Sequence, residues 1–151
     1  MTLDQSFVGR VYPPTASYEV GREKIREFAD AIGDPAPEYR DRAAAVSLGY
    51  PDVIAPPTFA IVVTLPAGER VARDPLLGVD YSRVVHGEQR FNYARPLRAG
   101  DVVEVESTIE SVRSAAGNDL LMTRSDVRTI AGEHVVTAHS LLVVRGPDTE
   151  S

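Results

Sequence analysis

Three histidines are the first residues to consider for chemistry, because imidazole exchanges protons readily near neutral pH. His134 and His139 lie five residues apart in a segment with strand periodicity, so we expect them on opposite faces of a sheet, in surface or packing roles. His86 differs because it begins the polar run His-Gly-Glu-Gln, whose glycine allows a backbone or a ligand to come close. For His86 a functional role is therefore as open as a structural one.

The loop from Asp34 to Tyr39 is a second candidate. Its sequence, Asp-Pro-Ala-Pro-Glu-Tyr, places two carboxylates and a phenol in a frame that two prolines stiffen. On the residues alone, the loop is more simply explained as a capped helix end with solvated acids.

The third candidate is the turn from Ala55 to Phe59, with the sequence Ala-Pro-Pro-Thr-Phe. Proline fits the first turn of a helix, because it lacks an N–H that would be unpaired there. The remaining N–H groups of such a helix end point at whatever lies in front of it and can polarise a carbonyl oxygen. By itself this pattern is too common to assign a function.

Several classes of chemistry are excluded by what the sequence lacks. Without a cysteine it has no disulfide, no thiolate zinc site and no thiol nucleophile. It has no histidine pair at metal-ligand spacing, no phosphate-binding or dinucleotide glycine loop and no Gly-x-Ser-x-Gly elbow, so we expect neither a metal nor a cofactor. The net charge of −6 argues against nucleic acids and anionic membrane surfaces as partners. We expect a cytoplasmic protein, because no stretch has the length of a membrane span or the pattern of a signal peptide.

The elements that must position these residues begin with a helix over 22–32, whose apolar stripe ends at Ile32. Gly33 is expected to end this helix in the left-handed conformation. Two shorter helices are expected over 43–48 and 58–65.

The second half of the chain changes to the two-residue period of antiparallel strands. We predict four strands, at Val84–Tyr93, Val102–Val112, Leu120–Ile130 and His134–Val144. A helix followed by a sheet with one apolar face indicates an α+β fold in which the sheet wraps around the helix. The length suits one domain, which we assign to residues 1–145, followed by a flexible tail at 146–151.

Six segments in this order resemble the MaoC-like hydratases and dehydratases, which act on (3R)-hydroxyacyl and trans-2-enoyl thioesters. They are residues 18–29, 33–34, 48–50, 55–59, 85–89 and 96–101. The likeness is strongest to the small subunits of two-subunit (3R)-hydroxyacyl-ACP dehydratases and to the N-terminal, non-catalytic half of double-hot-dog hydratases. The resemblance implies a single hot-dog fold, with an antiparallel sheet around one long central helix, that dimerises.

The family's catalytic signature is Asp-x-Asn-Pro-x-His, and this chain departs from it. Asp34 and Pro37 match, but Ala36 replaces the asparagine and Tyr39 replaces the histidine. A phenol with a pKa of about 10 is a poor base at neutral pH. The resemblance therefore implies a subunit without confident catalytic residues, paired with a MaoC-like catalytic subunit or otherwise with a second copy of itself.

The substrate that the resemblance implies is an acyl thioester, of CoA or of an acyl-carrier protein. An acidic carrier protein would need a basic patch on this chain. The candidates are Arg83, Arg90, Arg95 and Arg98, although it is simpler to explain them as scattered surface arginines. The residues that we expect to contact the substrate are Pro57, Thr58, Phe59, Val62, His86, Gly87, Glu88 and Gln89.

Three other functions stay open. Asp34 and His86 would be the acid–base pair of an autonomous homodimeric hydratase. Glu88 or Asp34 would activate water in a hot-dog thioesterase. The chain would otherwise be a module that binds acyl thioesters without catalysis.

Overall fold

The computed structural model describes residues 3–147, which form three α-helices and one six-stranded sheet. The helices are α1 (Arg22–Ala31), α2 (Arg42–Ser47) and α3 (Ile61–Ala72). The strands are β1 (Val11–Tyr12), β2 (Tyr18–Glu19), β3 (Val84–Tyr93), β4 (Val102–Ala115), β5 (Asn118–Thr129) and β6 (His134–Val144). The α+β class is confirmed, and the four predicted strands agree with β3 to β6 to within three residues at each end.

The sheet is antiparallel, with the strand order β1-β4-β5-β6-β3 and β2 also paired with β4. A two-residue turn joins β4 to β5, and both of its residues, Ala116 at φ 51° and Gly117 at φ 78°, have the positive φ that such hairpins require. β3 is ten residues long and lies next to β6 at the end of the strand order. Its other side pairs with no strand of residues 3–147. β3 is therefore a long free edge.

The helix that packs on the sheet is α3, whereas the sequence pointed to the helix at 22–32. Val63, Ala67 and Val71 lie on one side of α3 and are buried against β4 and β5. On α1, Ile25 and Ala29 are fully buried but Ile32, expected in the same stripe, is 49% exposed.

The bounds of α3 also differ from the prediction of a helix over 58–65. The helix begins at Ile61, continues through Pro66 and ends at Ala72. Because the buried stripe continues to Val71, tertiary packing outweighs the helix-breaking tendency of the proline.

The predicted tail at 146–151 is only partly described. The N–H of Gly146 donates to Asn118, and its carbonyl accepts from Arg83. Residues 148–151 lie outside the described part, so a flexible tail stays a prediction. Within residues 3–147, every helix is too short or too polar to cross a membrane.

Candidate functional site

The loop after α1 forms one wall of a pocket that we call the tyrosine pocket. It encloses about 300 Å³, within the range of small-molecule sites. None of its lining residues is charged, and three of them are tyrosines: Tyr39, Tyr50, Ile54, Ala55, Pro57, Tyr93 and Pro96.

The loop takes its shape from a few polar contacts. Gly33, at φ 72°, ends α1 as predicted and turns the chain. The carboxylate of Asp34 accepts the N–H of Ala36 at 3.1 Å, and Arg40 donates to the Ala36 carbonyl at 3.0 Å and to Asp30 at 2.6 Å. Asp34 therefore stabilises its own loop.

Tyr39, at the position of the family's histidine, is 8% exposed and lines the tyrosine pocket. Burial raises its pKa, and the nearby carboxylates of Asp34 and Glu38 raise it further. Its hydroxyl makes no hydrogen bond within residues 3–147 and is not enclosed by protein, so it is open to the pocket. Tyr39 therefore stays protonated at neutral pH and can donate a hydrogen bond. A protonated phenol cannot serve as the base that the signature requires.

Tyr93 closes the pocket against the start of α3. Its hydroxyl donates to the carbonyl of Pro57 at 2.6 Å. Burial raises the pKa of Tyr93 to about 12, and a hydrogen bond from the Ala60 N–H acts in the opposite direction. The N–H groups of Phe59 and Ile61 bond to carbonyls within the same turn. The prediction of free N–H groups is therefore wrong for these three residues.

The opposite wall is fixed by a partly buried ion cluster next to Pro96. Arg95 donates two hydrogen bonds of 2.9 Å to Asp101, two of 2.7 and 3.3 Å to Glu133 and one of 2.9 Å to the Pro96 carbonyl. These contacts hold the pKa of Arg95 above its usual range and the pKa of Glu133 below it. The cluster thereby ties the segment after β3 to the β5–β6 turn.

A second space, which we call the hydroxyl pocket, lies between α3 and the inner face of the sheet. Its volume of about 20 Å³ has room for about one water molecule. Five of its twelve lining residues carry a hydroxyl group. The complete lining consists of Thr64, Leu65, Gly68, Glu69, Tyr81, His86, Gln89, Thr123, Ser125, Ala138, Ser140 and Leu142.

The polar groups of the hydroxyl pocket differ in how well they are paired. Tyr81 donates to Glu69 at 2.9 Å, and the hydroxyls of Ser125 and Ser107 are 2.8 Å apart. The hydroxyl of Thr64, in contrast, is buried and has no partner within residues 3–147.

The predicted substrate contacts are divided between the two pockets. Pro57 lines the tyrosine pocket beside Tyr39, whereas His86 and Gln89 line the hydroxyl pocket. Phe59 lines neither, since it is fully buried with its ring edge on Phe28, 5.4 Å between ring centres.

The other predicted contacts lie outside both pockets. Thr58 is exposed and Val62 half-buried. Glu88 is exposed and pairs with Arg90 at 2.7 Å. Gly87 lies at a β-bulge, where an added Cβ atom would be 3.1 Å from the side chain of Val143. The glycine therefore makes room for the neighbouring strand β6 and not for a ligand.

The two remaining histidines lie on the same outer face of the sheet, contrary to the prediction. A bulge in β6 before Val136 shifts His134 so that its ring contacts Thr137 at 2.7 Å, while His139 lies 3.4 Å from Glu110. No group of three potential metal ligands occurs in residues 3–147.

The basic patch considered for a carrier protein is largely neutralised. Arg83 pairs with Asp80, Arg90 with Glu88, and Arg95 with Asp101 and Glu133.

Sequence reasoning also missed Tyr50 and Tyr93 as pocket residues. The only signal for either is that Tyr50 lies in residues 48–50, one of the segments that resemble the family.

Comparison with known proteins decides the family. The profile of the family described as FAS1-like, dehydratase domain region, matches residues 6–138. The chain belongs to this dehydratase family. The resemblance to MaoC-like dehydratases and the hot-dog fold are thereby confirmed, because the solved structures that it matches carry the same fold.

Among curated relatives of this dehydratase-family chain, a UPF0336 protein of Streptomyces coelicolor is 63% identical over 148 residues, covering 98% of this chain and 99% of the relative. A solved MaoC-like dehydratase has a TM-score of 0.86 and 35% identity over 95% of this chain. This chain spans only 43% of that dehydratase. The C-terminally truncated HadBC (3R-hydroxyacyl-ACP dehydratase) complex of Mycobacterium tuberculosis contains a chain with a TM-score of 0.81 and 32% identity, covering 91% of this chain and 96% of that one.

Proposed function

We propose that this dehydratase-family chain is the non-catalytic, acyl-chain-binding subunit of a (3R)-hydroxyacyl thioester dehydratase, which is a trans-2-enoyl thioester hydratase in the reverse direction. The observation that carries the proposal is Tyr39, a buried phenol with a raised pKa where the family signature has histidine. No histidine of residues 3–147 lines the tyrosine pocket. The chain thus has space for a substrate and lacks the base that would convert it.

The free edge of β3 supports a partner subunit. Its ten residues leave unpaired N–H and C=O groups along one side, and natural proteins cover or block such edges. Val85, 43% exposed on this strand, adds apolar surface. Since the HadBC dehydratase is a complex, we propose that a second hot-dog chain, with an intact Asp-x-Asn-Pro-x-His signature, lies against β3.

In the assembled enzyme the reaction is a loss of water. The partner's histidine takes the proton from C2 of the hydroxyacyl thioester, the C3 hydroxyl leaves with a proton as water, and a double bond forms between C2 and C3. This chain contributes apolar surface for the acyl group, which stabilises binding by about 0.8 kcal/mol per buried CH₂.

The proposal has three further parts. The thioester is one of CoA or of an acyl-carrier protein, the hot-dog domain comprises residues 1–145 with a flexible tail at 146–151, and the protein is located in the cytoplasm.

The test is co-purification of the tagged chain, produced at native level in its own host, with the captured proteins identified by mass spectrometry. We expect a hot-dog chain with the intact signature in equal amount. Val85→Lys places a charge on the β3 edge, so this variant is expected to lose the partner. Val11→Lys is the matched control, because Val11 is 54% exposed on β1 at the opposite edge of the same sheet.

Three results would each contradict a part of this proposal. Capture of the chain alone, at native level, would point to a homodimer. Equal loss of the partner in both valine variants would show that β3 is not the edge that binds it. Hydration of crotonyl-CoA by the purified chain alone would contradict the non-catalytic assignment.

A further inference from the structure

We propose that the tyrosine pocket is a second thioester site, in which the Tyr39 hydroxyl donates a hydrogen bond to the carbonyl oxygen of a bound acyl thioester that is not converted there. This inference rests on the proposed function, because it takes its ligand class from the dehydratase family. It goes further by naming the pocket, the donor and the ligand atom.

The first observation is an unused donor inside the pocket. A hydroxyl that is open to a pocket can exchange a hydrogen bond to water for one to a ligand. Tyr39 is 8% exposed, and its hydroxyl, which is not enclosed by protein, makes no hydrogen bond within residues 3–147 and is open to the pocket. The neighbouring phenol of Tyr93 is already bonded to Pro57, so the donors left for a ligand are on Tyr39 and Tyr50, and Tyr39 is the more deeply buried of the two.

The second observation is the charge around that donor. Asp34 and Glu38 lie close enough to raise the pKa of Tyr39, and no cation lines the pocket. A carboxylate or phosphate in the pocket would be repelled by these acids and would lack a counter-charge. The acceptor must therefore be uncharged, and a thioester carbonyl is the acceptor that the family's substrates carry.

The third observation is the size and lining of the pocket. A volume of about 300 Å³ holds a short acyl group, and the aliphatic side chain of Ile54 and the prolines at 57 and 96 match its carbon chain. The pocket opens to the surface, so the charged carrier stays outside. Because neither a histidine nor a free carboxylate lines it, the thioester is held without reaction.

The test compares two ligands that differ only in the carbonyl group, butyryl-CoA and the thioether S-butyl-CoA, by titration calorimetry on the full chain. We expect wild type to bind butyryl-CoA about tenfold more tightly. Tyr39→Phe is expected to remove this difference and leave the affinity for S-butyl-CoA unchanged, which also shows that the variant is folded. Tyr81→Phe, which removes a hydroxyl from the other pocket, is expected to keep the tenfold difference.

Three results overturn the inference. Equal binding of both ligands to wild type, or a difference that persists in Tyr39→Phe, leaves thioester binding in place and removes Tyr39 as the donor. Failure of both ligands to bind wild type removes the site altogether. None of these results decides whether the chain is a dehydratase subunit, because that depends on capture of the catalytic partner.

Discussion

The tyrosine pocket and the hydroxyl pocket differ in what each lacks. The tyrosine pocket encloses about 300 Å³, but its titratable lining groups are phenols. The hydroxyl pocket is lined by the imidazole of His86 and the carboxyl group of Glu69, side chains of the types used in acid–base chemistry, but at about 20 Å³ it admits only a water molecule. Space and acid–base groups are thus separated within residues 3–147, which agrees with our proposal that a second subunit combines them.

The separation follows from where α3 lies. Its buried stripe holds the middle of the helix against β4 and β5, which closes the hydroxyl pocket. The tyrosine pocket lies before the helix, where Pro57 and the turn up to Ala60 keep α3 from filling the space. The two pockets are expected to respond differently to substitution.

The largest effect is expected at Phe59, which the sequence assigned to the substrate and which lies in the core. Phe59→Ala should lower the free energy of unfolding by about 3–5 kcal/mol, because it leaves a cavity beside Phe28. Thr58→Ala, at the exposed neighbour, should change it by less than about 0.5 kcal/mol. Urea titration measures both. A small loss of stability with a large loss of butyryl-CoA binding in Phe59→Ala would return Phe59 to the pocket.

The next effect concerns the wall at Pro96. Arg95→Ala leaves the carboxylate of Asp101, 8% exposed, without its cationic partner and should lower the free energy of unfolding by about 3 kcal/mol. Arg90→Ala removes an exposed ion pair on β3 and should cost less than about 1 kcal/mol. Equal losses in thermal or urea unfolding would mean that the wall of the tyrosine pocket is no more firmly held than the β3 edge.

A smaller effect, of opposite sign at two positions, tests whether the hydroxyl pocket is dry. Thr64→Val removes an unpaired buried hydroxyl and should raise the free energy of unfolding by about 1 kcal/mol. Ser125→Ala removes a paired hydroxyl and should lower it by about 1 kcal/mol. Destabilisation by Thr64→Val would indicate that a bound water or ligand pairs with Thr64.

The smallest effect depends on pH. The pKa of Tyr93 is raised to about 12, so its contribution to stability is complete below pH 10 and is lost as the pH rises towards 12. Tyr93→Phe should be less stable than wild type by about 1 kcal/mol at pH 8, because the bond to Pro57 is missing. Urea titrations from pH 8 to 11.5 should show this difference shrinking. A constant difference would mean that the phenol is solvated in the folded chain.

Much of the fold was readable because it depends on local patterns. The alternation along β4, where Val103 and Val105 are buried, predicts a strand with one apolar face. Gly33 has the left-handed conformation that ends α1, and the side chain of Asp41 caps α2.

The errors arose where tertiary contacts override local rules. Pro66 suggested an early end of α3, and only packing against the sheet explains why the helix continues. The bulge before Val136 reverses the face of His134, and a bulge leaves no mark in an alternating pattern. Tyr50 and Tyr93 meet Tyr39 through the fold, so spacing along the chain could not reveal the pocket.

The position of β3 also has a consequence for the order of folding. β4, β5 and β6 pair with neighbours in sequence through short turns, so their contacts close small loops and form early. β3 precedes them but pairs only with β6, Val84 opposite Val144, so during synthesis it must wait until β6 has been made. The edge that we assign to the partner is therefore completed last, and we expect a nascent chain made without its partner to be most prone to aggregation at this strand.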